Sequence, residues 1–174
     1  FNESLINQEF DYCIVGSGPA GLTLVSELAK DTNAKILLVE AGGFSLEEKS
    51  QNLYKGNSFN LKNDKNKMGL NDEDYLSSSR LRYLGGSSNH WDGWTRPLDA
   101  IDFQSWPITH EEMFPFYKLA YQTVDIKPTV KDEALTNEIR KIPYLVSPPV
   151  MFGKKYHSLL NESSQIKAIL NANL

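Results

Sequence analysis

An α/β fold with a parallel sheet is predicted by three features near the start of this 174-residue sequence. The first is a short apolar run, Tyr12–Val15, whose length and flanks are those of a buried parallel strand. The second is a segment, residues 22–29, in which the apolar side chains recur on one helical face. The third is another apolar run within residues 35–40. Strand, helix and strand in this order form a βαβ unit.

The link between the first strand and the helix is a glycine motif, Gly16-x-Gly18-x-x-Gly21. In such a loop the first glycine allows a tight exit from the strand, the second lets the backbone approach a pyrophosphate, and the third brings helix and sheet close together. The start of the helix adds free N–H groups and the positive end of its dipole. The loop is therefore predicted to bind the diphosphate of a dinucleotide through Gly16, Ser17, Gly18, Pro19, Ala20 and Gly21.

Glu40 closes the second strand and follows Gly21 at about the usual spacing of 20 residues. A carboxylate at this place accepts hydrogen bonds from the hydroxyls of a ribose, and it repels a 2′-phosphate, so NADP fits badly. Ala41, the next residue, is included in the predicted site. The alternative is that Glu40 is a solvated carboxylate at the end of a strand.

A polar excursion is predicted at residues 44–79, which are rich in Asn, Lys, Asp and Ser. One short helix is expected near residues 46–54, followed by loop. Residues 60–74, which carry charges of both signs and no apolar face, are expected to form a solvated surface loop.

A second glycine loop lies in the segment RLRYLGGSSNHWDGWTRP, residues 80–97. Gly85 and Gly86 can bring backbone amides against another part of the same cofactor. The serines that follow offer hydroxyl groups, and the tryptophans offer flat surfaces for a planar ring. FAD is longer than NAD and carries a bulky isoalloxazine, so two glycine loops favour FAD over NAD.

Four segments together resemble the N-terminal portion of the glucose–methanol–choline (GMC) oxidoreductases: IVGSGPAG, LLVEAGG, RLRYLGGSSNHWDGW and SWPITHEEMFPFY. The resemblance covers residues 11–124 and the last residues, and the His-Trp pair after the glycine doublet is similar to that of bacterial and pyranose oxidase-like members. It implies an FAD-binding Rossmann-like βαβ domain. It also implies an FAD-dependent enzyme that oxidises an alcohol or sugar hydroxyl by hydride transfer to flavin N5.

The resemblance assigns cofactor contacts to both loops. Gly16, Gly18 and Gly21 would hold the FAD pyrophosphate, and Glu40 would bind the adenosine ribose. The pyrophosphate, ribitol and isoalloxazine would lie along Arg82, Gly85, Gly86, Ser87, Ser88, Asn89, His90 and Trp91. A histidine at the place of His90 is bonded covalently to the flavin in some members and not in others, and both arrangements stay open here.

Two further residues of this loop receive expectations of their own. Trp94, like Trp91, is expected to pack at the edge of the flavin domain rather than to contact substrate. Asp92 stands where relatives often have glycine, which is expected to alter the backbone next to the flavin.

The expected domain organisation is an FAD-binding domain at residues 1–127, a linker that begins the substrate region at 128–160, and a strand at 161–174 that returns to the FAD-binding sheet. The C-terminal substrate domain, with the family's catalytic pair, is expected to be missing, so no catalytic residue is assigned in this chain. His110 is expected to begin a helix capped by Thr109 and Glu112 and interrupted at Pro115. His157 is expected in a loop.

The composition limits the classes of partner. A net charge of −4 without a basic stripe argues against a nucleic acid, and no apolar run approaches the roughly 20 residues of a membrane span. The single cysteine, Cys13, excludes an internal disulfide and a thiolate metal cluster, and no metal site is predicted. Two alternatives remain, a dinucleotide-binding module without chemistry and an NAD-dependent dehydrogenase or unrelated flavoprotein.

Overall fold

The computed structural model describes residues 8–56, 72–127, 132–142 and 144–173, with the backbone alone at residues 72–75. The chain divides into two compact units, the first made of Phe1–His90 with Met151–Leu174 and the second of Trp91–Val150. The domain boundaries expected at residues 127 and 160 remain predictions. The solvated loop expected at residues 60–74 lies largely outside the described residues.

The regular elements alternate between short strands and helices along the described part of the chain. In chain order they are β1 (Tyr12–Val15), α1 (Pro19–Asp31), β2 (Ile36–Val39), α2 (Glu48–Gln51), α3 (Asp72–Ser79), β3 (Trp94–Thr95), α4 (His110–Thr123), β4 (Glu133–Ala134), β5 (Arg140–Lys141), β6 (Leu145–Val146), α5 (Phe152–Lys155), α6 (His157–Glu162) and β7 (Ile166–Ile169). Short 3-10 turns occur at Asn52–Tyr54, Gly86–Asn89 and Ala100–Phe103. None of the described helices combines the length and the hydrophobicity needed to cross a membrane.

A three-stranded parallel sheet forms the centre of the first unit, in the order β1-β2-β7. Tyr12 lies opposite Ile36, and Ile36 lies opposite Ile166, so β2 is paired on both sides. The α/β fold class is thereby confirmed. The strand expected near the end of the chain is β7, and it joins the sheet next to β2.

Helix α1 packs its apolar face on this sheet. Leu22 and Val25 are fully buried, as are Ile36 and Leu38 on the central strand. Burial of one such side chain stabilises the fold by about 1.5–3 kcal/mol. Pro19 occupies the first helical position, where its fixed φ suits a helix and its missing N–H removes no hydrogen bond. The predicted helix and its buried face are present.

Strand β1 has its predicted bounds but is not the buried strand that the sequence indicated. Tyr12 is 45% exposed and Val15 is 63% exposed, Cys13 is also exposed, and only Ile14 is buried. Within the described residues, β1 pairs with β2 alone and therefore lies at an edge of the sheet. An apolar run has the same sequence pattern at the edge and at the centre of a sheet, so the pattern could not distinguish them.

The polar excursion contains more helix than expected. The helix predicted near residues 46–54 is present as α2 and the 3-10 turn Asn52–Tyr54, but α3 occupies Asp72–Ser79, where loop was expected. One tertiary contact supports this helix. The Nε2 group of Gln51 donates to the carbonyl oxygens of Ser77, at 2.5 Å, and Arg80, at 2.6 Å, at the end of this helix. Carbonyl groups at a helix C-terminus lack partners within the helix, so these bonds stabilise its end.

The second unit contains two small antiparallel pairs, β3 with β6 and β4 with β5, together with helix α4. The capping box predicted for α4 is present, because the Glu112 N–H donates to Thr109 Oγ1 at 3.2 Å and the Thr109 N–H donates to Glu112 Oε2 at 2.7 Å. The bond from the Thr109 N–H lowers the pKa of the Glu112 carboxyl group.

The interruption expected at Pro115 does not occur, because α4 continues from His110 to Thr123 with this proline inside. A proline removes the N–H that would bond the carbonyl four residues earlier, which belongs to Glu111. Glu111 is in the exposed first turn of α4, where water can take the place of the lost donor. The expectation that His157 lies in a loop is also wrong, since His157 begins α6.

Candidate cofactor site

The first glycine loop, residues 16–21, joins the end of β1 to α1. At Gly21 a Cβ atom would collide with the carbonyl oxygen of Gly16, so the packing of the helix against the loop requires a glycine there. At Gly18 a Cβ atom would meet nothing within 4 Å, and the φ angle of −70° suits any residue. The fold does not require a glycine at position 18. The open space beside Gly18 is the space that a closely approaching diphosphate requires.

The first turn of α1 carries backbone N–H groups without acceptors. The Leu22 N–H donates to the carbonyl oxygen of Gly18 at 3.0 Å, and Pro19 has no N–H. The N–H groups of Ala20 and Gly21 therefore have no acceptor among the described residues. These groups and the positive end of the helix dipole make the start of α1 suitable for an anion.

The Glu40 carboxylate lies directly beside this loop, and the residue is only 7% exposed. Its Oε2 atom accepts hydrogen bonds from the N–H of Ser17, at 2.8 Å, and from the Oγ of Ser17, at 2.6 Å. Its Oε1 atom accepts from the N–H of Gly42 at 2.8 Å. The alternative of a solvated carboxylate therefore does not hold. A carboxylate has about four acceptor positions, so capacity remains for a ribose hydroxyl.

The second glycine loop contacts the first one, although 68 residues separate Ser17 from Gly85. The Gly85 N–H donates to the carbonyl oxygen of Ser17 at 3.0 Å, and it lies 3.3 Å from Ser17 Oγ. A Cβ atom on Gly86 would lie 3.2 Å from the Cα of Gly18. Gly85 and Gly86 have φ angles of 95° and 54°, which favour glycine. The two loops therefore form one continuous backbone surface.

Ser88 and Asn89 hold the second loop together from inside. The buried Oγ of Ser88 donates to the carbonyl oxygen of Gly85 at 2.6 Å and accepts from the N–H of Phe152 at 3.1 Å. The Nδ2 of Asn89 donates to the carbonyl oxygens of Leu84 and Gly86, both at 3.0 Å. Their side chains thus have partners within the protein, so their expected contacts with a cofactor remain predictions.

The remaining residues that the sequence assigned to the cofactor site differ in position. Ser87 Oγ lies 3.4 Å from the carbonyl oxygen of Ser79, and His90 is exposed at the end of the 3-10 turn. Ala41, beside Glu40, is half-buried. Trp91 belongs to the second unit, where its indole N–H donates to the carbonyl oxygen of Val150 at 3.0 Å.

Trp94 also belongs to the second unit. It packs edge-to-face on Tyr144, with 6.1 Å between the ring centroids. Trp94 is 64% exposed, and its expected packing at the edge of the flavin domain stays a prediction.

Arg82 carries a buried polar atom that no described residue satisfies. Its guanidinium lies over the ring of Tyr54, 5.3 Å from the centroid, and its Nε has no hydrogen-bond partner among the described residues. A buried donor without an acceptor costs about 1–3 kcal/mol, so an anionic or hydroxyl-bearing ligand would relieve this cost. Gln51, which the sequence did not point to, accepts a hydrogen bond from the N–H of Arg82 at 3.0 Å.

The segment after Glu40 also supports the second loop. Gly43 forms a parallel bridge with Tyr83, and the N–H of Leu84 donates to the Gly43 carbonyl oxygen at 2.9 Å. A Cβ atom on Gly42 would collide with the carbonyl oxygen of Arg82, so the glycine doublet after Glu40 allows this close approach. Burial raises the pKa of Tyr83, so its phenol stays protonated near neutral pH.

The donor set fits the diphosphate and ribose of FAD. It combines the two free amides at the start of α1, the clearance beside Gly18, the buried Glu40 carboxylate and the unsatisfied Arg82 Nε. Hydroxyl and phosphate oxygens are the groups that such donors and acceptors bind. The described residues contain no cluster of metal-binding side chains.

No family model matches the chain, but it is similar in sequence to several known proteins. It is 38% identical over 123 residues to Neither inactivation nor afterpotential protein G of Drosophila melanogaster, covering 58% of this chain and 19% of the relative. It is 30% identical over 143 residues to the Oxygen-dependent choline dehydrogenase of Pseudomonas putida strain GB-1, covering 71% of this chain and 24% of the relative. The chain thus spans about a quarter or less of the length of these relatives.

A solved structure, pyridoxine 4-oxidase from Mesorbium loti, aligns with 63% of this chain and 24% of its own length, at 22% identity and a TM-score of 0.42. The assignment rests on these sequence relatives and on three features of this chain. The glycine motif, the glutamate after the second strand and the second glycine loop follow one another in the order that the resemblance implies. On these grounds, the chain is similar to the N-terminal portion of the GMC oxidoreductases.

Proposed function

We propose that this chain forms the FAD-binding portion of an FAD-dependent oxidoreductase that oxidises a CH–OH group of an alcohol or a sugar. The observation that carries this proposal is the contact between the two glycine loops beside the open space at Gly18. The similarity to the GMC oxidoreductases and to the choline dehydrogenase relatives supports the class of reaction.

The residues of the first loop would bind the diphosphate. The N–H groups of Ala20 and Gly21 would donate to its oxygens, and the dipole of α1 would favour its negative charge. Glu40 would accept a hydrogen bond from the adenosine ribose with the acceptor capacity that Ser17 and Gly42 leave free. Arg82 would donate its Nε–H to an oxygen of the cofactor.

FAD, when bound, supplies the acceptor for the hydride that leaves the substrate carbon. The proton of the substrate hydroxyl needs a base, and we assign none to this chain. His110 begins α4 in the second unit, next to the rings of Phe103 and Phe114, and His157 begins α6 and contacts Asn161. Since the chain spans about a quarter of its choline dehydrogenase relatives, we place the base in the remaining part of the protein.

His90 has two proposed arrangements, covalent attachment to the flavin or contact without a bond. Its exposed side chain at the end of the second loop is compatible with either. A covalent bond would withdraw electron density from the ring and raise its reduction potential, which favours hydride acceptance. Contact without a bond would change the potential less.

The test is a purification of the full-length protein followed by absorption spectroscopy and anaerobic titration with a panel of alcohols and sugars. We expect a yellow protein whose flavin is bleached by at least one compound of the panel. A full-length Gly18→Val variant is the control, because it should purify without flavin. A colourless wild-type protein that binds NAD would show a nicotinamide enzyme instead. If the protein were yellow but no compound of the panel bleached its flavin, the alternative of a dinucleotide-binding module without this chemistry would hold.

A further inference from the structure

We infer that Ser17 is a positioning residue, which uses its side chain to tie the Glu40 carboxylate to the second glycine loop rather than to bind the cofactor. The tie itself is independent of the proposed function. Its consequence for FAD affinity rests on that function.

The burial of Ser17 excludes its hydroxyl from direct contact with a ligand. The residue has an exposed fraction of 0%, and its Oγ donates to Glu40 Oε2 at 2.6 Å. The same Oγ accepts from the N–H of Gly85, which lies 3.3 Å away. A hydroxyl group can donate and accept at the same time, so Ser17 links an acidic side chain on one side to a backbone amide on the other.

The link joins three segments of the chain. The Glu40 carboxylate also accepts from the N–H of Gly42, and Gly42 lies against the carbonyl oxygen of Arg82. The glycine loop, the end of β2 and the second loop therefore meet around one carboxylate. An alanine at position 17 would keep the bonds made by main-chain atoms of this residue, from its N–H to the Glu40 carboxylate and from the Gly85 N–H to its carbonyl oxygen. It would remove the bonds that depend on the side chain.

The first test measures hydrogen exchange in the flavin-free, full-length protein. In Ser17→Ala we expect the amides of residues 84–86 to exchange roughly two- to tenfold faster than in the wild type, the size that one hydrogen bond predicts. The matched control is Ser26→Ala. Ser26 is also a buried serine, but it lies within α1, and its removal leaves the bonds to Glu40 and Gly85 in place. Ser17→Thr keeps the hydroxyl and should keep the protection. Equal exchange in the Ser17→Ala and Ser26→Ala variants would overturn the inference, as would the same loss in Ser17→Thr as in Ser17→Ala.

The second test measures FAD affinity by fluorescence titration of the same proteins. Ser17→Ala should bind FAD roughly two- to tenfold more weakly, with Ser26→Ala unchanged. In a Glu40→Ala background, the Ser17→Ala change should weaken binding by less than about twofold, because residues that act through one another are not additive. Full additivity would overturn the positioning role. If the wild type bound no FAD, the proposed function would fail, while the exchange experiment would still decide whether Ser17 ties the loops together.

Discussion

Substitutions at Gly18 and Gly21 should separate the needs of the cofactor from the needs of the fold. In the described structure a Cβ atom at Gly18 meets nothing within 4 Å, whereas a Cβ atom at Gly21 collides with the carbonyl oxygen of Gly16. Gly18→Val should therefore fold and lose FAD. Gly21→Ala should lose stability whether or not FAD is present.

The expected magnitudes follow from the contacts. At Gly18 the φ angle of −70° is open to valine, and the change at this N-cap should cost at most about 1 kcal/mol of stability. The valine methyl groups would fill the space from which a diphosphate reaches the N–H groups of Ala20 and Gly21. Two hydrogen bonds to a charged group are worth about 3–6 kcal/mol, so FAD should bind roughly 150- to 20,000-fold more weakly. At Gly21 overpacking should cost about 1–3 kcal/mol.

The assays are FAD titration followed by flavin fluorescence and thermal unfolding of the flavin-free proteins. The reasoning predicts opposite patterns for the two variants: weak binding with nearly normal unfolding for Gly18→Val, and early unfolding for Gly21→Ala. If Gly18→Val bound FAD as the wild type does, the space beside Gly18 would not be the cofactor cradle. If Gly18→Val unfolded as early as Gly21→Ala, the glycine would serve the fold instead.

Three further predictions concern Glu40, His90 and Thr109. Glu40→Ala should weaken FAD binding by about 1–3 kcal/mol, measured by flavin release, and unchanged affinity would remove Glu40 from the site. Acid denaturation of the full-length protein should leave the yellow colour on the polypeptide if His90 is bonded to the flavin, and colour in the supernatant rules out the bond. Thr109→Ala should destabilise α4 by about 1 kcal/mol, measured by chemical unfolding of the full-length protein. No change would show that the capping box is dispensable. Because the Thr109 N–H lowers the pKa of Glu112, the bond between these two groups stabilises the helix start above the unfolded pKa of Glu112, and this stabilisation is lost as the pH falls through the folded value.

The features that the sequence predicted well are those that depend on neighbours in the chain. The bounds of β1 and the capping box at Thr109 follow from local patterns, and both are present. The glycine motif also lies between β1 and α1 as expected, because its residues are contiguous.

The features that the sequence did not predict depend on contacts between distant segments. Gln51 supports the segment that leads to the second loop through bonds to residues about 30 positions away, and no local pattern marks such a residue. The Ser17 hydroxyl belongs to the predicted loop, but the sequence could not show that it is directed at Glu40. In the same way, helix propensity alone predicted a break at Pro115, although the position of this proline near the exposed start of α4 makes the break unnecessary.

The sheet order β1-β2-β7 has a consequence for the synthesis of the protein. About 130 residues separate the end of β2 at Val39 from the start of β7 at Ile166. At a translation rate of about 5–20 residues per second, the ribosome needs roughly 6–25 s to make this interval. During that time β1 can pair with one edge of β2, the most apolar strand of the unit. The other edge of β2 has no partner until β7 is made. An unpaired apolar edge is a template for aggregation, so the nascent chain has a period in which a chaperone would be of most use to it.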